Sequence, residues 1–340
     1  MLLNFIKVEF REELLVDKYV ELINSGVKPT EVLVLVQNSN AKKKFSEKVL
    51  KKITVNALER LNIHSFFSIV YNTINDNWCF VDNLIPSEKA FIQPNLVGLE
   101  VSQFLLKDIL KNQEVKGYNS KKSLLHQIFR RYSLIVQNNL TSEQVRERSK
   151  ILKESFGDDA EIIIKKLLST TLKTRSLDYL RQILIFNHIY KNTDCFKDIK
   201  YLLVDDADEM TPVCFDFIKY LRPQLKDWII CFDSLGSSRC GYLSADTSIE
   251  YKLAKLFEED IKTFENSEMS FQEENGNVIF SNIIEKTQKR LKNFSLISLS
   301  KRAEILDSCV YKIEELYKKG IKPNEIAIIT PLQDDMLKFT

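Results

Sequence analysis

Short apolar runs alternate along this chain with amphipathic segments of helical period. VLVLV (32–36), ITVNAL (53–58), YLLVDD (201–206) and WIICFD (228–233) are rich in apolar and β-branched residues, as strands buried on both faces are. PVCFDFIKYL (212–221) lies between the last two. Phe215, Ile218 and Leu221 are three apart in it, and Pro212 suits a first helical position. NIHSFFSIVYNTI (62–74) reads as a turn running into a helix. Strand and helix in alternation predict a parallel sheet with crossover helices.

Residues 88–195 differ. SLLHQIFRRYSLIV, SEQVRERSKILKESF, AEIIIKKLLSTTL and SLDYLRQILIFNHIY all carry helical periodicity, and no convincing strand stands among them. This predicts an all-helical insertion. TFENSEMSFQEENGN (263–277) is polar and reads as a connector. YVELINSGVKPTEVLVLVQ (19–37) and KIEELYKKGIKPNEIAIIT (312–330) nearly repeat each other. In both, an amphipathic helix meets Gly26 or Gly320, which suit a left-handed helix end. Pro29 or Pro323 follows, then a strand-like run. A unit used twice predicts two α/β domains of one kind. The expected divisions are 1–87 with 196–262, the insertion 88–195, a connector 263–290, and the start of a second α/β domain at 291–340.

Length and composition narrow the class. A chain of 340 residues exceeds one ordinary core. With 44% apolar and 28% charged residues it is a globular protein. No uncharged apolar run approaches the roughly 18 residues of a membrane span. MLLNFIKVEFREE carries charge by Lys7, so no secretory signal and a cytoplasmic location are expected. The six cysteines form no Cys-x-x-Cys, which favours reduced thiols over a zinc site. Net charge is only +2, yet AKKKFSEKVLKK (41–52) holds six lysines and one glutamate. Ala41, Phe45 and Val49 fall on one helical face, which leaves the lysines on a solvated one.

The chemistry concentrates at YLLVDDADEMTP (201–212). Parallel sheets bind ligands at the carboxyl ends of their strands, where Asp205 and Asp206 fall. Carboxylates there hold a Mg²⁺ that bridges nucleotide phosphates, or orient an attacking water. WIICFD brings Asp233 to a neighbouring strand end. The competing assignment is solvated strand ends, with Asp206 or Asp208 capping the helix that starts near Pro212.

The same segment resembles the Walker B motif of superfamily 1 helicases of the UvrD/Rep/PcrA type, apolar residues followed by Asp-Glu-x-Gln-Asp and often Thr-Pro. CFDSLGSSRCGYLSAD (231–246) is similar to their next motif. VLVLVQNSNAKKKFSEKV resembles their motif Ia, and NIHSFFSIV their Thr-x-His-Ser-Phe element. AEILDSCVYKIEELYKKGIKPNEIAIIT is similar to the start of their second RecA-like domain. The order of these segments agrees throughout the chain. The resemblance implies an α/β fold: a RecA-like, P-loop-NTPase-type parallel sheet interrupted by a helical insertion, then the beginning of a second RecA-like domain. It also implies an ATP-dependent 3′-to-5′ DNA helicase of repair or recombination, using Mg-ATP, with Asp205, Asp208 and Asp233 at the nucleotide and metal. Asn38, Asn40, His64, Ser65 and Phe66 match DNA-facing motif positions, and Lys42, Lys43 and Lys44 are placed to meet phosphates. Phe66 or Phe67 offers a base-stacking ring, or else core packing.

The departures bear on activity. The family's Gly-x-x-x-x-Gly-Lys-Ser/Thr loop is replaced by LNFIKVEFREELLV, with Glu12 and Glu13 where the Lys and hydroxyl are expected and no glycine before Gly26. Carboxylates there repel a triphosphate. Gly236 and Gly241 have phosphate-loop spacing but lack the Lys. The family's Walker B Glu is Asp206, retracted by about one methylene, roughly 1.5 Å. Asp208 stands for its Gln, Gly236 for the next motif's Gln and Leu243 for its Arg. The second domain has only its opening helix and strand. Asp205 and Asp206 are thus expected to be a vestigial Walker B pair, with no cofactor for this chain alone. The expected protein binds single-stranded DNA, or acts as an accessory subunit of a helicase or nuclease complex. The alternatives are a piece of an active helicase, and a protein-interaction module without nucleic acid.

Overall fold

The computed structural model describes residues 1–6, 11–53, 61–78, 93–111, 121–151, 157–234, 236, 239–240, 244–265, 271–284, 286–292 and 294–328. It divides into two compact units, Met1–Glu268 and Met269–Thr340.

In the first unit, β1 (Leu2–Ile6) precedes α1 (Arg11–Asn24), β2 (Val32–Val36), α2 (Ser39–Lys52), β3 (Ile63–Ser65) and α3 (Phe66–Asn77). The insertion follows: β4 (Asn95–Leu96), α4 (Leu99–Lys111), α5 (Lys121–Gln137), α6 (Ser142–Ile151), α7 (Gly157–Thr174), β5 (Ser176–Leu177) and α8 (Tyr179–Asn192). Then come β6 (Tyr201–Val204), α9 (Pro212–Leu221), β7 (Asp227–Phe232), α10 (Ile249–Phe257) and β8 (Ile261–Glu265). Six strands form one sheet in the order β3-β2-β6-β7-β1-β8, and every pairing in it is parallel. This is the mixed α/β architecture of a RecA-like domain.

Period-two alternation divides the sheet between two cores. Val32, Val34 and Val36 face α1 and α2, packing with Leu15, Tyr19, Phe45 and Val49. Leu33 and Leu35 face the other way, toward α3, α8, α9 and the insertion. All five are buried, which is why VLVLV has no polar position. Each such side chain contributes roughly 1.5–3 kcal/mol relative to exposure. On the second face Phe186 meets Phe66, Tyr190, Phe196 and Phe217, with ring centroids 5.0–6.0 Å apart. These contacts weld the insertion to the sheet.

Two sequence expectations change. The insertion holds two two-residue strands, β4 and β5, paired in parallel. They are too short to give a period. The span read as a polar connector begins with part of β8, an edge strand that hydrogen-bonds β1 from Leu2↔Ile261 to Ile6↔Glu265. An edge strand exposes one side, so IKTFE reads as half polar. Residues 271–277 of that span belong to α11 (Phe271–Ile284) of the second unit. ITVNAL beyond Ile53 lies outside the described residues.

The second unit contains α11 and α12 (Arg302–Lys318). Its corner repeats the first unit's in detail. Gly26 has φ +93° and Gly320 φ +84°. Gly26 N–H donates to Ile23 O at 3.0 Å, and Gly320 N–H to Tyr317 O at 2.9 Å. Glu31 accepts from Lys28 N at 3.2 Å, and Glu325 from Lys322 N at 2.9 Å. A single 3₁₀ turn follows each, Pro29–Glu31 and Pro323–Glu325. The outcomes then diverge. Val32 enters a strand, whereas residues 326–328 have no strand pairing and Ile328 is exposed. The expected strand IAIIT therefore fails as far as it is described; a corner can be encoded locally, but a strand needs a neighbour.

Candidate functional site

The carboxyl edge of the sheet gathers most of the chemistry. β1 reaches it at Ile6, and residues 7–10, in the place of the phosphate loop, lie outside the described residues. α1 opens with Arg11. Its Nε lies 3.0 Å from Asp205 Oδ1, and its Nη2 donates to Asp206 Oδ1. One guanidinium thus clamps both acids of the Walker B-like segment. Glu12 and Glu13 face α2 instead. Lys48 lies 2.9 Å from Glu12 and 2.8 Å from Glu13, and Lys52 lies 2.8 Å from Glu13 and 2.7 Å from Asp17. Hydrogen bonds from Lys48 and Lys52 hold the Glu13 carboxyl down at about 2. The two glutamates are bound to lysines, and the residue that meets the acids is the Arg just before them.

Asp205 ends β6, with its N–H bonded to Leu35 O at 2.9 Å, and Asp206 follows in the left-handed region at φ 53°. Burial pushes the Asp205 carboxyl up, opposed by Arg11. Burial, then repulsion from Asp205, pushes Asp206 up to about 6 against the pull of Arg11. Burial lowers the Arg11 pKa, but Asp205 and Asp206 outweigh it and the net direction is up. Burial is the larger cause, and one cation shared between two carboxylates does not offset it, so both acids stay raised. Asp208 is buried and its Oδ1 accepts from Asp233 N at 3.0 Å. It therefore ties the end of β7 to the turn after β6, and neither it nor Asp206 caps α9. That cap position is Thr211, which makes no side-chain cap bond. Among the described residues no group of three or more His, Cys, Asp or Glu is arranged to hold a metal ion.

The β2–β3 end of the edge is built differently. Asn38 caps α2: its Oδ1 accepts from Asn40 N at 3.0 Å and Ala41 N at 3.1 Å. Asn40, Lys43 and Lys44 are exposed on the first turns of α2, and Lys42 is half-buried. Ser65 caps α3 by accepting from Ser68 N at 3.2 Å. Phe66 turns inward onto Phe186, 5.9 Å away. Phe67 is the outward ring, 50% exposed and 5.0 Å from Tyr179. A cleft of about 350 Å³ is lined by Asn38, Ser65, Phe67, Tyr179, Asp205 and Arg239, among others. His64 faces away from it, into a cavity with Asn62, Asp76 and Phe196, and its Nδ1 is 3.4 Å from Ser68 Oγ. Strand alternation separates His64 from Ser65. Gly241 and Leu243 lie outside the described residues.

The sequence model of the UvrD/REP helicase N-terminal domain matches residues 13–234. The chain belongs to the UvrD/Rep helicase family. No curated protein matches it. The family match begins two residues after Arg11 and covers β2, β3, β6 and β7 but not β1. Sequence reasoning had not found Arg11, Tyr179 or Arg239. Arg239 follows the glycine turn and lies 3.5 Å from Glu209. For Arg11 the available signal was a cation at the first position of the helix after β1. No helix among the described residues is long and apolar enough to cross a membrane.

Proposed function

We propose that this UvrD/Rep-family chain binds single-stranded nucleic acid as an accessory or scaffold component and does not turn over ATP. The observation that carries it is the asymmetry of one edge. The cleft has an exposed ring at Phe67, and Lys43 and Lys44 are exposed on α2, whose cap Asn38 lines that cleft, while the Walker B-like acids are occupied by Arg11. Bases stack on exposed aromatics and phosphates pair with lysines, in a sequence-tolerant and salt-dependent way. Asp205 and Asp206 do not fit the Mg-ATP that the family uses, because a guanidinium already meets the oxygens a Mg²⁺ would share. Asp206 also stands one methylene short of the family's Glu.

The test pairs fluorescence anisotropy on a single-stranded oligonucleotide with Mg-ATP calorimetry. Affinity falls with salt, and Lys42→Glu, Lys43→Glu and Lys44→Glu together reduce it and flatten the salt slope. Phe67→Ala weakens binding by about 5- to 100-fold, the range for loss of one stacked base. Calorimetry is expected to show no heat at physiological nucleotide concentration. Oligonucleotide binding indifferent to all these changes returns the chain to a protein-interaction module. Tight Mg-ATP binding abolished by Asp205→Asn returns it to an active helicase.

A further inference from the structure

We propose that Arg11 is the resident cation of the Asp205–Asp206 pair: an internal latch that holds a divalent-metal position shut and ties the start of α1 to the end of β6. This deepens the non-hydrolysing half of the function proposed above and is independent of its nucleic-acid half.

The contact joins residues 195 positions apart in the chain. All three side chains are largely withdrawn from water, at 26% exposure for Arg11, 10% for Asp205 and 16% for Asp206. The guanidinium spans the pair, with Nε on one carboxylate and Nη2 on the other. This forked geometry suits arginine and not lysine. A Mg²⁺ sits about 2.0–2.1 Å from its oxygens, so an ion shared by these same oxygens would overlap the guanidinium. The two occupants exclude each other. Neighbouring groups reinforce the choice of an internal cation. Asp208 also acts electrostatically on Arg11, and Asp206 N donates to Asp205 Oδ1 at 3.0 Å, fixing that oxygen toward the pair. Without Arg11 the two acids form a semi-buried dianion. Such a pair relieves its repulsion by taking a proton or a divalent cation.

Mn²⁺ serves as the probe, followed by electron paramagnetic resonance on the full chain without nucleotide or nucleic acid. The wild type takes up no Mn²⁺ at this pair through about 1 mM. Arg11→Ala binds it at least tenfold more tightly, Arg11→Lys gives a smaller gain, and Arg11→Ala/Asp205→Asn loses the gain. Wild-type Mn²⁺ binding that disappears in Asp205→Asn overturns the assignment, as does a folded Arg11→Ala with no gain. Should Arg11→Ala fail to fold, Arg11→Ala/Asp205→Asn/Asp206→Asn regains the fold if Arg11 acts as the counter-ion. Failure to regain it overturns the assignment too. Loss of oligonucleotide binding, measured separately, bears only on the function proposed above.

Discussion

Two ends of one sheet edge have been put to opposite uses. At the β1–β6–β7 end, charges are spent internally: Arg11 on Asp205 and Asp206, Lys48 and Lys52 on Glu12 and Glu13, Arg239 on Glu209. At the β2–β3 end, Lys43, Lys44 and Phe67 face water. Both ends rest on the same buried strands, so the difference lies in the first turns that follow them. On the function proposed above, this RecA-like sheet keeps its nucleic-acid side while its nucleotide side becomes part of the packing. Substitutions at the two ends separate these roles by what they change, stability at the closed end and affinity at the open one.

The largest expected effect is a pH dependence from the closed end. The Asp206 carboxyl is pushed up to about 6 by burial and by Asp205, with Asp208 and Glu209 adding repulsion and Arg11 opposing it. In the unfolded chain an Asp titrates near pH 4. Between about 4 and 6 the native state thus binds more protons than the unfolded one, and stability falls as pH rises through this window. The ceiling is about 3 kcal/mol for a shift of about two units. Asp206→Asn removes the titration and suits the left-handed backbone at φ 53°. Urea unfolding at several pH values is expected to show a declining wild-type curve and a flatter variant curve. Parallel curves would mean that Arg11 fully compensates Asp206, and the closed end would then be more stable than described.

Second in size is Gly236. A Cβ there would lie 2.0 Å from Asp208 Oδ2 and 2.9 Å from the Asp233 carbonyl oxygen. Asp208 cannot swing aside without losing its bond to Asp233 N, and the carbonyl is backbone. Gly236→Ala is expected to cost about 2 kcal/mol, in the range of overpacked interiors. Lys44→Ala at the open end stays within about 0.5 kcal/mol, as exposed substitutions do. Equal losses in thermal unfolding would erase the distinction between a packed end and a free one.

Much of this edge was legible in the sequence, and the exceptions share a cause. VLVLV, YLLVDD and WIICFD declared themselves because both faces of each strand are buried, and Pro212 marked the start of α9. The acids at the strand ends followed from the parallel sheet. β8 was hidden because its outer side meets no strand, and LLNFI because Asn4 interrupts its short apolar run. Arg11 was passed over in favour of Glu12 and Glu13. The cation at the first position of α1 was the one local signal, and only the closed sheet decides that Arg11 turns to β6 and the glutamates to α2. Likewise Phe66 and Phe67 are identical neighbours in sequence, and the helix sends one to Phe186 and the other to Tyr179.

The smallest effect fixes where the boundary between the two ends runs, and it concerns Asn38. The resemblance implies a DNA-facing role for this side chain, which lines the cleft, yet its Oδ1 is engaged by Asn40 N and Ala41 N. Its Nδ2 donates to Gln37 Oε1 at 2.8 Å. As a cap it contributes about 1 kcal/mol, lost in Asn38→Ala and retained in Asn38→Ser, since Ser offers the same kind of acceptor. Serine lacks the amide donor, so the pair of variants divides the oxygen's role from the nitrogen's. Asn38→Ser is expected to keep both wild-type stability and wild-type oligonucleotide affinity, placing Asn38 with the groups already satisfied inside the protein. A tenfold loss of affinity at full stability would instead make the Nδ2 a contact that breaks its bond to Gln37 on binding. The open end would then begin at the cap of α2, and not at the lysines beyond it.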